Sequence, residues 1–447
     1  MILRLSITAI LLLAGFNSFA QEVEKRDLGK IDGRARLYLM NTLNEGGLTD
    51  YFASAMGVGL GYSSPMIKGF QFRTSAFYTQ GLYNSDLTTP DPLTNAANRY
   101  EIGLYDVGNP SSRSVFRVEE LYLQYKSESS YLRLGRQLLN TPFINPQDGR
   151  MSPTFVQGIY GNLQLSTQWN VEGGWLNRMA PRSTSRWFGV DESMGYYPQG
   201  LLETGQGANY FSNIESVGIG ILGVHFRPNS KFQISAWNYF VENVLNIGHI
   251  QVTGNFPADE KWSIISGVQL TRQDAINDGG NSDLTKTYLN PSSYSNVLSA
   301  RLGAKNQRVE FNLNYTRISK TGRFQFPREW GRDPFFTFMP RERNEGYGGV
   351  DALMAKFEYS LNSGKTKLSL SHGRFSLPEA NDAKYNKYGI PSYHQSNFEL
   401  RQQINPSIQL QYLAVYKGRV GDTYGNDRFV INKVNMFYQN LVVNYKF

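Results

Sequence analysis

From Lys30 to the C-terminus, apolar and polar side chains alternate with a period of two, and this pattern excludes most folds. Arg34-Ala35-Arg36-Leu37-Tyr38-Leu39 shows it, as do Gln71-Phe72-Arg73-Thr74, Glu310-Phe311-Asn312-Leu313-Asn314-Tyr315 and Ser407-Ile408-Gln409-Leu410-Gln411-Tyr412. Such a period describes a strand with one apolar and one polar face. About eighteen segments carry it, near 32–42, 50–62, 70–82, 116–127, 130–140, 154–166, 168–179, 214–227, 231–243, 246–255, 261–272, 293–304, 307–319, 348–360, 365–376, 393–403, 406–418 and 433–446. Each is long enough to cross a hydrocarbon layer as a tilted strand, which takes about 9–11 residues.

The connections alternate in length. Lys126-Ser127-Glu128-Ser129-Ser130, Pro228-Asn229-Ser230, Lys305-Asn306-Gln307, Asn362-Ser363-Gly364 and Asn405-Pro406 are short turns. Between them lie long segments at 83–115, 141–153, 180–213, 273–292, 320–347, 377–392 and 419–432. Short turns on one side and long loops on the other are the pattern of bacterial outer-membrane barrels. The connections near 43–49 and 244–245 are short where the pattern calls for long ones.

Composition agrees. Aromatic residues make up 14% of the chain and charged residues only 18%, as suits an apolar band between aromatic girdles. Beyond Ile7–Phe16 no apolar run approaches the length of a spanning helix. A chain like this enters a membrane only as a closed barrel, the other arrangement that satisfies every backbone group in lipid. The predicted fold is therefore all-β: one transmembrane antiparallel barrel of about eighteen strands, in a single domain spanning 21–447.

Residues 1–20 read as a signal peptide, with Arg4, the apolar stretch Ile7–Phe16, and Ser18-Phe19-Ala20 placing cleavage before Gln21. No Cys follows Ala20, so a lipid-modified N-terminus is excluded; Cys is absent altogether, which suits an oxidising export route. The expected location is the outer membrane of a Gram-negative cell. At the other end, Leu441, Val443, Tyr445 and Phe447 share one face of a last strand whose other face holds Asn444 and Lys446. An aromatic last residue on such a strand is similar to the signal that barrel-insertion machinery reads.

The net charge is +8, and +7 remains without the first twenty residues. Lys and Arg are scattered through alternating strands rather than gathered in a block, so a positive lumen explains them better than nucleic acid does. Apolar positions face lipid, so the positions between them face the lumen. Leu37 and Leu39 point out, and Arg34, Arg36 and Tyr38 point in. The same parity turns Arg73, Arg133, Arg301, Lys356 and Arg401 inward. With Arg36 these form a candidate basic track along the pore wall, where guanidinium forks bind carboxylates in passing. The plainer reading pairs each with a lumen acid such as Glu120, Glu310, Glu358 or Glu399.

Two stretches resemble a known family. Leu134-Gly135-Arg136-Gln137, Thr141-Pro142, Asp148-Gly149-Arg150-Met151-Ser152-Pro153 and Gly158 look like the strand and inward-folding third loop of the OprD family of outer-membrane porins. Pro327-Arg328-Glu329-Trp330-Gly331-Arg332-Asp333-Pro334-Phe335-Phe336, with Pro340-Arg341-Glu342-Arg343-Asn344-Glu345-Gly346, resembles that family's seventh loop. The resemblance implies an eighteen-strand channel narrowed by these loops and passing small water-soluble solutes, often carboxylates such as amino acids. It places Asp148 and Arg150 in one narrowing loop, and Arg328, Arg332, Arg341 and Arg343 in the other. Independently, Pro142, Pro146 and Pro153 suit a segment that leaves the strand ladder.

Other functions compete less well. His394-Gln395-Ser396 has the spacing of a lipid hydrolase pair on the lipid-facing side, but Asn397 and Phe398 follow where those enzymes have glycine. An energised transporter needs a plug domain, and about ten residues separate the expected cleavage site from the first strand. A sealed structural or adhesive barrel is the remaining alternative. No metal, phosphate or nucleotide motif is present, and no cofactor or catalytic residue is expected. The expected partners are small solutes, outer-membrane lipids and the insertion machinery, with the protein a monomer or a trimer.

Overall fold

The computed structural model describes residues 27–147 and 149–447. The expected signal peptide and Asp148 lie outside the described residues. The strands are β1 (Lys30–Asn44), β2 (Tyr51–Ser63), β3 (Phe70–Asn84), β4 (Ser114–Ser127), β5 (Ser130–Gln137), β6 (Phe155–Gln164), β7 (Trp169–Ala180), β8 (Phe188–Gly189), β9 (Ile219–Asn229), β10 (Phe232–Val241), β11 (Leu245–Pro257), β12 (Ser263–Ala275), β13 (Tyr294–Lys305), β14 (Val309–Ile318), β15 (Val350–Leu361), β16 (Thr366–Ser376), β17 (Tyr393–Gln403), β18 (Ile408–Arg419) and β19 (Met436–Lys446).

β8 is a two-residue piece of loop that pairs with β7, and β7 pairs directly with β9. The other eighteen strands are the wall, each antiparallel to its chain neighbour. β19 returns to β1 with Arg34 opposite Lys446 and Asn44 opposite Met436, which closes the barrel. At the seam Gly33 and Phe447 exchange backbone hydrogen bonds of 2.9 and 3.0 Å. A Cβ at Gly33 would stand 2.0 Å from the Phe447 ring, so the bare glycine makes the seat for the terminal aromatic.

All eighteen expected segments coincide with wall strands, offset by a few residues at the ends. The largest offset is at 214–218, which belongs to a loop. Glu215 there donates its backbone N–H to Gly280 of another loop instead of to a strand. Outward positions carry the apolar set: Leu60, Leu134 and Leu302 are each more than half exposed, and a wall covered with such residues suits a surface whose solvent is lipid. The periplasmic turns are short. The loops at the other end, here L1 to L9, span 45–50, 85–113, 138–154, 181–218, 242–244, 276–293, 319–349, 377–392 and 420–435.

The apolar core lies inside the wall, where L3 and L7 meet inward-facing strand residues. Phe143 of L3 is fully buried with Tyr239, Phe324 and Trp330. Its ring is 5.4 Å from Tyr239 and 5.2 Å from Phe326, mostly edge-on or tilted, as aromatic clusters prefer.

Candidate functional site

L3 and L7 form one unit within the barrel. Asn145 N–H donates to Trp330 O (3.2 Å). Its side-chain amide donates to Arg332 O (3.0 Å), and Arg332 N–H donates back to Asn145 Oδ1 (3.2 Å). Gly331 sits between these bonds, and a Cβ there would meet Phe143 O at 2.5 Å. L7 is tied to the far wall as well: Phe336 N–H donates to Ser299 Oγ (3.0 Å) and Gln395 Nε2 donates to Pro340 O (2.8 Å).

Arg117 fastens the other end of L3. Its guanidinium is buried and donates to Pro181 O (2.8 Å), Pro153 O (2.6 Å) and Ser152 Oγ. Ser152 Oγ donates to Glu119 (2.6 Å), whose carboxylate accepts two bonds from Arg34 at 2.6 and 2.8 Å. A β-bulge explains why alternation alone misses Arg117. Ser75 pairs with Glu120 but Ala76 with Val118, so Glu119 is the extra residue. Alternation extended from the outward Leu121 and Leu123 points Arg117 at lipid; the bulge turns it inward.

Two cavities lie along the axis. The one on the extracellular side encloses about 930 Å³, and the one below it about 400 Å³. Arg150, Phe338 and Arg341 line both, so L3 and L7 supply the neck between them. The lower cavity is lined by Arg34, Arg36, Arg150, Arg332, Arg341 and Arg401, with Glu399 as the acid among the described residues. The upper one has Arg99, Arg182, Arg328, Arg343, Lys387, Arg428 and Lys433 around it, with Glu342.

The six inward basic residues of the wall do not share one surface. Arg36 and Arg401 line the lower cavity. Arg36 donates to Asn444 Oδ1 (2.7 Å) and to Arg150 O, while Arg401 lies 3.4 Å from Glu399. Arg73 is held between Asp32 (2.8 Å) and Glu120 (2.7 Å). Lys356 pairs with Glu358 at 3.2 Å. Arg133 bonds Gln124 Oε1 (2.7 Å) and stacks near Tyr122 and Tyr131. Arg301 bonds Asn314 Oδ1 (2.8 Å) beneath Phe336 of L7, in a separate cavity with Glu310. Of the loop residues, Arg328 and Arg343 face the upper cavity, Arg332 the lower, and Arg150 and Arg341 both. Arg99 and Lys387 lie in loops with no sequence period, so nothing in the pattern marks them; Lys433 opens the last expected segment, 433–446, but lies in L9 ahead of β19.

Electrostatics in the upper cavity are set by burial and pairing. Burial opposes ionisation of Glu342, but Arg99 (3.1 Å), Lys417 (3.1 Å) and Arg328 outweigh it and hold the carboxyl at about 2. Burial pushes Lys387 down to about 7, with Glu345 opposing and Arg323 and Arg328 assisting. Its ammonium donates to Tyr210 OH (3.2 Å), 4.8 Å from that ring and 4.9 Å from the ring of Tyr288. Burial, then Arg99, lowers Lys433 to about 7 as well. Both lysines lose their charge as pH rises through about 7. The ratio of anion to cation permeability, measured by reversal potential, should therefore fall between pH 6 and 8 (about one unit on either side). The unfolded chain keeps these protons up to about 10.5, so stability should rise with pH from about 7 to about 10.5. A flat selectivity profile would mean that neither lysine faces the ion path.

A closed barrel of eighteen strands, with loops folded inward to make a charged neck between two cavities, is a membrane channel. Residues 111–376 match the outer membrane porins of the OprD family, and the chain belongs to that family. It is an outer-membrane channel for small solutes in a Gram-negative envelope, not an enzyme. Solved structures with the same fold include OccK9 (OpdG) of Pseudomonas aeruginosa, at 13% identity and a TM-score of 0.71 over 93% of this chain and 97% of that one. OccAB4 of Acinetobacter baumannii is similar at 13% identity and 0.71, over 95% and 100%. OpdK of Pseudomonas aeruginosa, solved with vanillate, is similar at 14% and 0.67, over 93% and 98%. No curated protein matches the chain in sequence.

Proposed function

We propose that this channel favours small anionic solutes, carboxylates first, over cations and neutral compounds of the same size. The observation that carries the reading is the neck. Arg150 and Arg341 stand where the two cavities meet, and Arg34, Arg36, Arg332 and Arg401 surround the cavity below. Guanidinium groups in series offer a carboxylate successive two-pronged partners, each weak enough to leave. The relative solved with vanillate, itself a carboxylate, makes the same chemistry a reasonable first choice. L3 and L7 act as the selectivity element, with Arg150, Arg328, Arg332, Arg341 and Arg343 as its charged groups.

Liposome swelling over a panel of amino acids, organic acids and sugars tests this. Mono-carboxylates should swell the vesicles faster than neutral sugars of equal size, and faster than cationic amines. Equal rates across charge classes would reduce the protein to a general diffusion pore. No swelling with any solute would make it a sealed structural barrel.

A further inference from the structure

Solute passage uses the inner face of the wall, and the outer face of a barrel is expected to be apolar where it meets hydrocarbon. Towards the extracellular ends of β14 to β19 the outer face departs from this in two rows, above a third that keeps to it. The uppermost row runs Tyr315, Leu353, Arg374, His394 and Gly418 across adjacent strands. The next runs Leu313, Ala355, His372, Ser396, Tyr416 and Phe437. The third is apolar throughout: Phe311, Phe357, Leu370, Phe398 and Ala414.

The polar members of the upper rows form one cluster. His372 Nδ1 lies 2.8 Å from Ser396 Oγ. The His372 and His394 rings are 6.0 Å apart, and His394 is 5.9 Å from Tyr416. A Cβ at Gly418 would stand 2.4 Å from the His394 ring, so the glycine provides the recess in which that imidazole lies. On neighbouring strands the outward arginines are paired, Arg272 with Asp274 and Arg317 with Asp351. Among the described residues, exposed Arg374 has no carboxylate at salt-bridge distance.

Below the cluster, towards the membrane interior, the wall hollows into a groove of about 470 Å³. Its apolar floor and sides include Phe357, Leu370, Phe398 and Ala414. Ala355 stands opposite His372, and Ala414 opposite Phe398; these small side chains leave the hollow between the phenylalanines. A cationic and hydroxyl-bearing head above an apolar trough matches an amphiphile with an anionic head group and an acyl chain. The face lies at the extracellular rim, so the lipid that covers it belongs to the outer leaflet.

We propose that this groove binds one phosphorylated glycolipid of the outer leaflet. Arg374 donates to a phosphate oxygen, His372, His394 and Ser396 supply further polar contacts, and one acyl chain lies in the trough between Phe357 and Phe398. The His–Ser pair serves here as a recognition element; among the described residues no hydrogen bond orients the other nitrogen of His372 as a catalytic base would need.

The test uses the full-length barrel in detergent, titrated with bisphosphorylated lipid A and with its dephosphorylated form, and read by native mass spectrometry. One phosphorylated molecule should bind, about tenfold tighter than the dephosphorylated form, as expected for a charge-assisted hydrogen bond. The double variant Arg374→Leu, His372→Leu should lose that advantage while conducting like the wild type. Leucine is at home on a lipid-facing surface, and heat-shifted gel mobility verifies that the variant is folded. Equal affinity for the two lipid A forms overturns the proposal, as does a variant that binds as the wild type does. Tighter binding of an anionic phospholipid than of lipid A also overturns it. A second protein copy that is bound by the wild type and lost in the variant would assign the groove to self-association instead.

Discussion

Removing 143–151 should raise single-channel conductance several-fold in a planar bilayer. This segment carries Arg150, one of three residues shared by the two cavities, and Phe143, its anchor in the wall. Deleting it also removes Asn145, and with it the bonds that hold Trp330 and Arg332 of L7. Both sides of the neck are therefore released at once. The loss of one buried phenylalanine costs about 3–5 kcal/mol, yet the wall should persist, because its eighteen-strand ladder closes without L3. Arg117→Leu should act in the same direction more weakly. It leaves Pro153 O and Pro181 O without their donor, at about 1–3 kcal/mol for each buried group, and it detaches only one end of the loop. Unchanged conductance after the deletion would place the narrowest point of the path elsewhere.

Arg36→Gln should cut the preference for chloride over potassium about fivefold at low ionic strength. A fixed charge 4 Å from a passing ion is worth about 1 kcal/mol in bulk water and about 4 kcal/mol at an effective dielectric of 20. A hydrated path sits near the lower figure, and salt screens it further. Arg36 is the informative position because its partners are neutral: it donates to the Asn444 side chain and to a backbone carbonyl of L3. Glutamine can still donate to Asn444, so the change removes charge more than structure. Arg301→Gln should do less, because Arg301 lies beneath Phe336 in a different cavity that also holds Glu310. The measurement is the reversal potential under a salt gradient. A cation-selective wild type, or a larger effect at Arg301 than at Arg36, would defeat this assignment.

The strand number, the lipid-facing side of each strand and the long loops at one end were legible in the sequence. The reason is local and strict. In lipid most second positions of a strand must be apolar, and a slip of one residue would turn the whole set inward. Segments as short as Leu132–Leu134 therefore announce both their state and their orientation. The inward direction of Arg36, Arg73, Arg133, Arg301, Lys356 and Arg401 followed from the same rule.

Which of those charges work together was decided only by the closed barrel. Arg36 meets Asn444 from the opposite end of the chain, and Arg34 meets Glu119 from three strands away. Parity says that two side chains face the lumen but nothing about whether they touch, because that depends on the stagger of strands around the closure. The inward turn of Arg117 needed a bulge, which inserts one residue without a sequence period to reveal it. The seam of Asn145 with Trp330 and Arg332, and the buried Lys387 with its pKa of about 7, lie in loops where no repeat constrains the backbone. Alternation reports the solvent that each strand face meets. The neck of the pore is made where loops meet one another, and that contact exists only once the wall has closed around them.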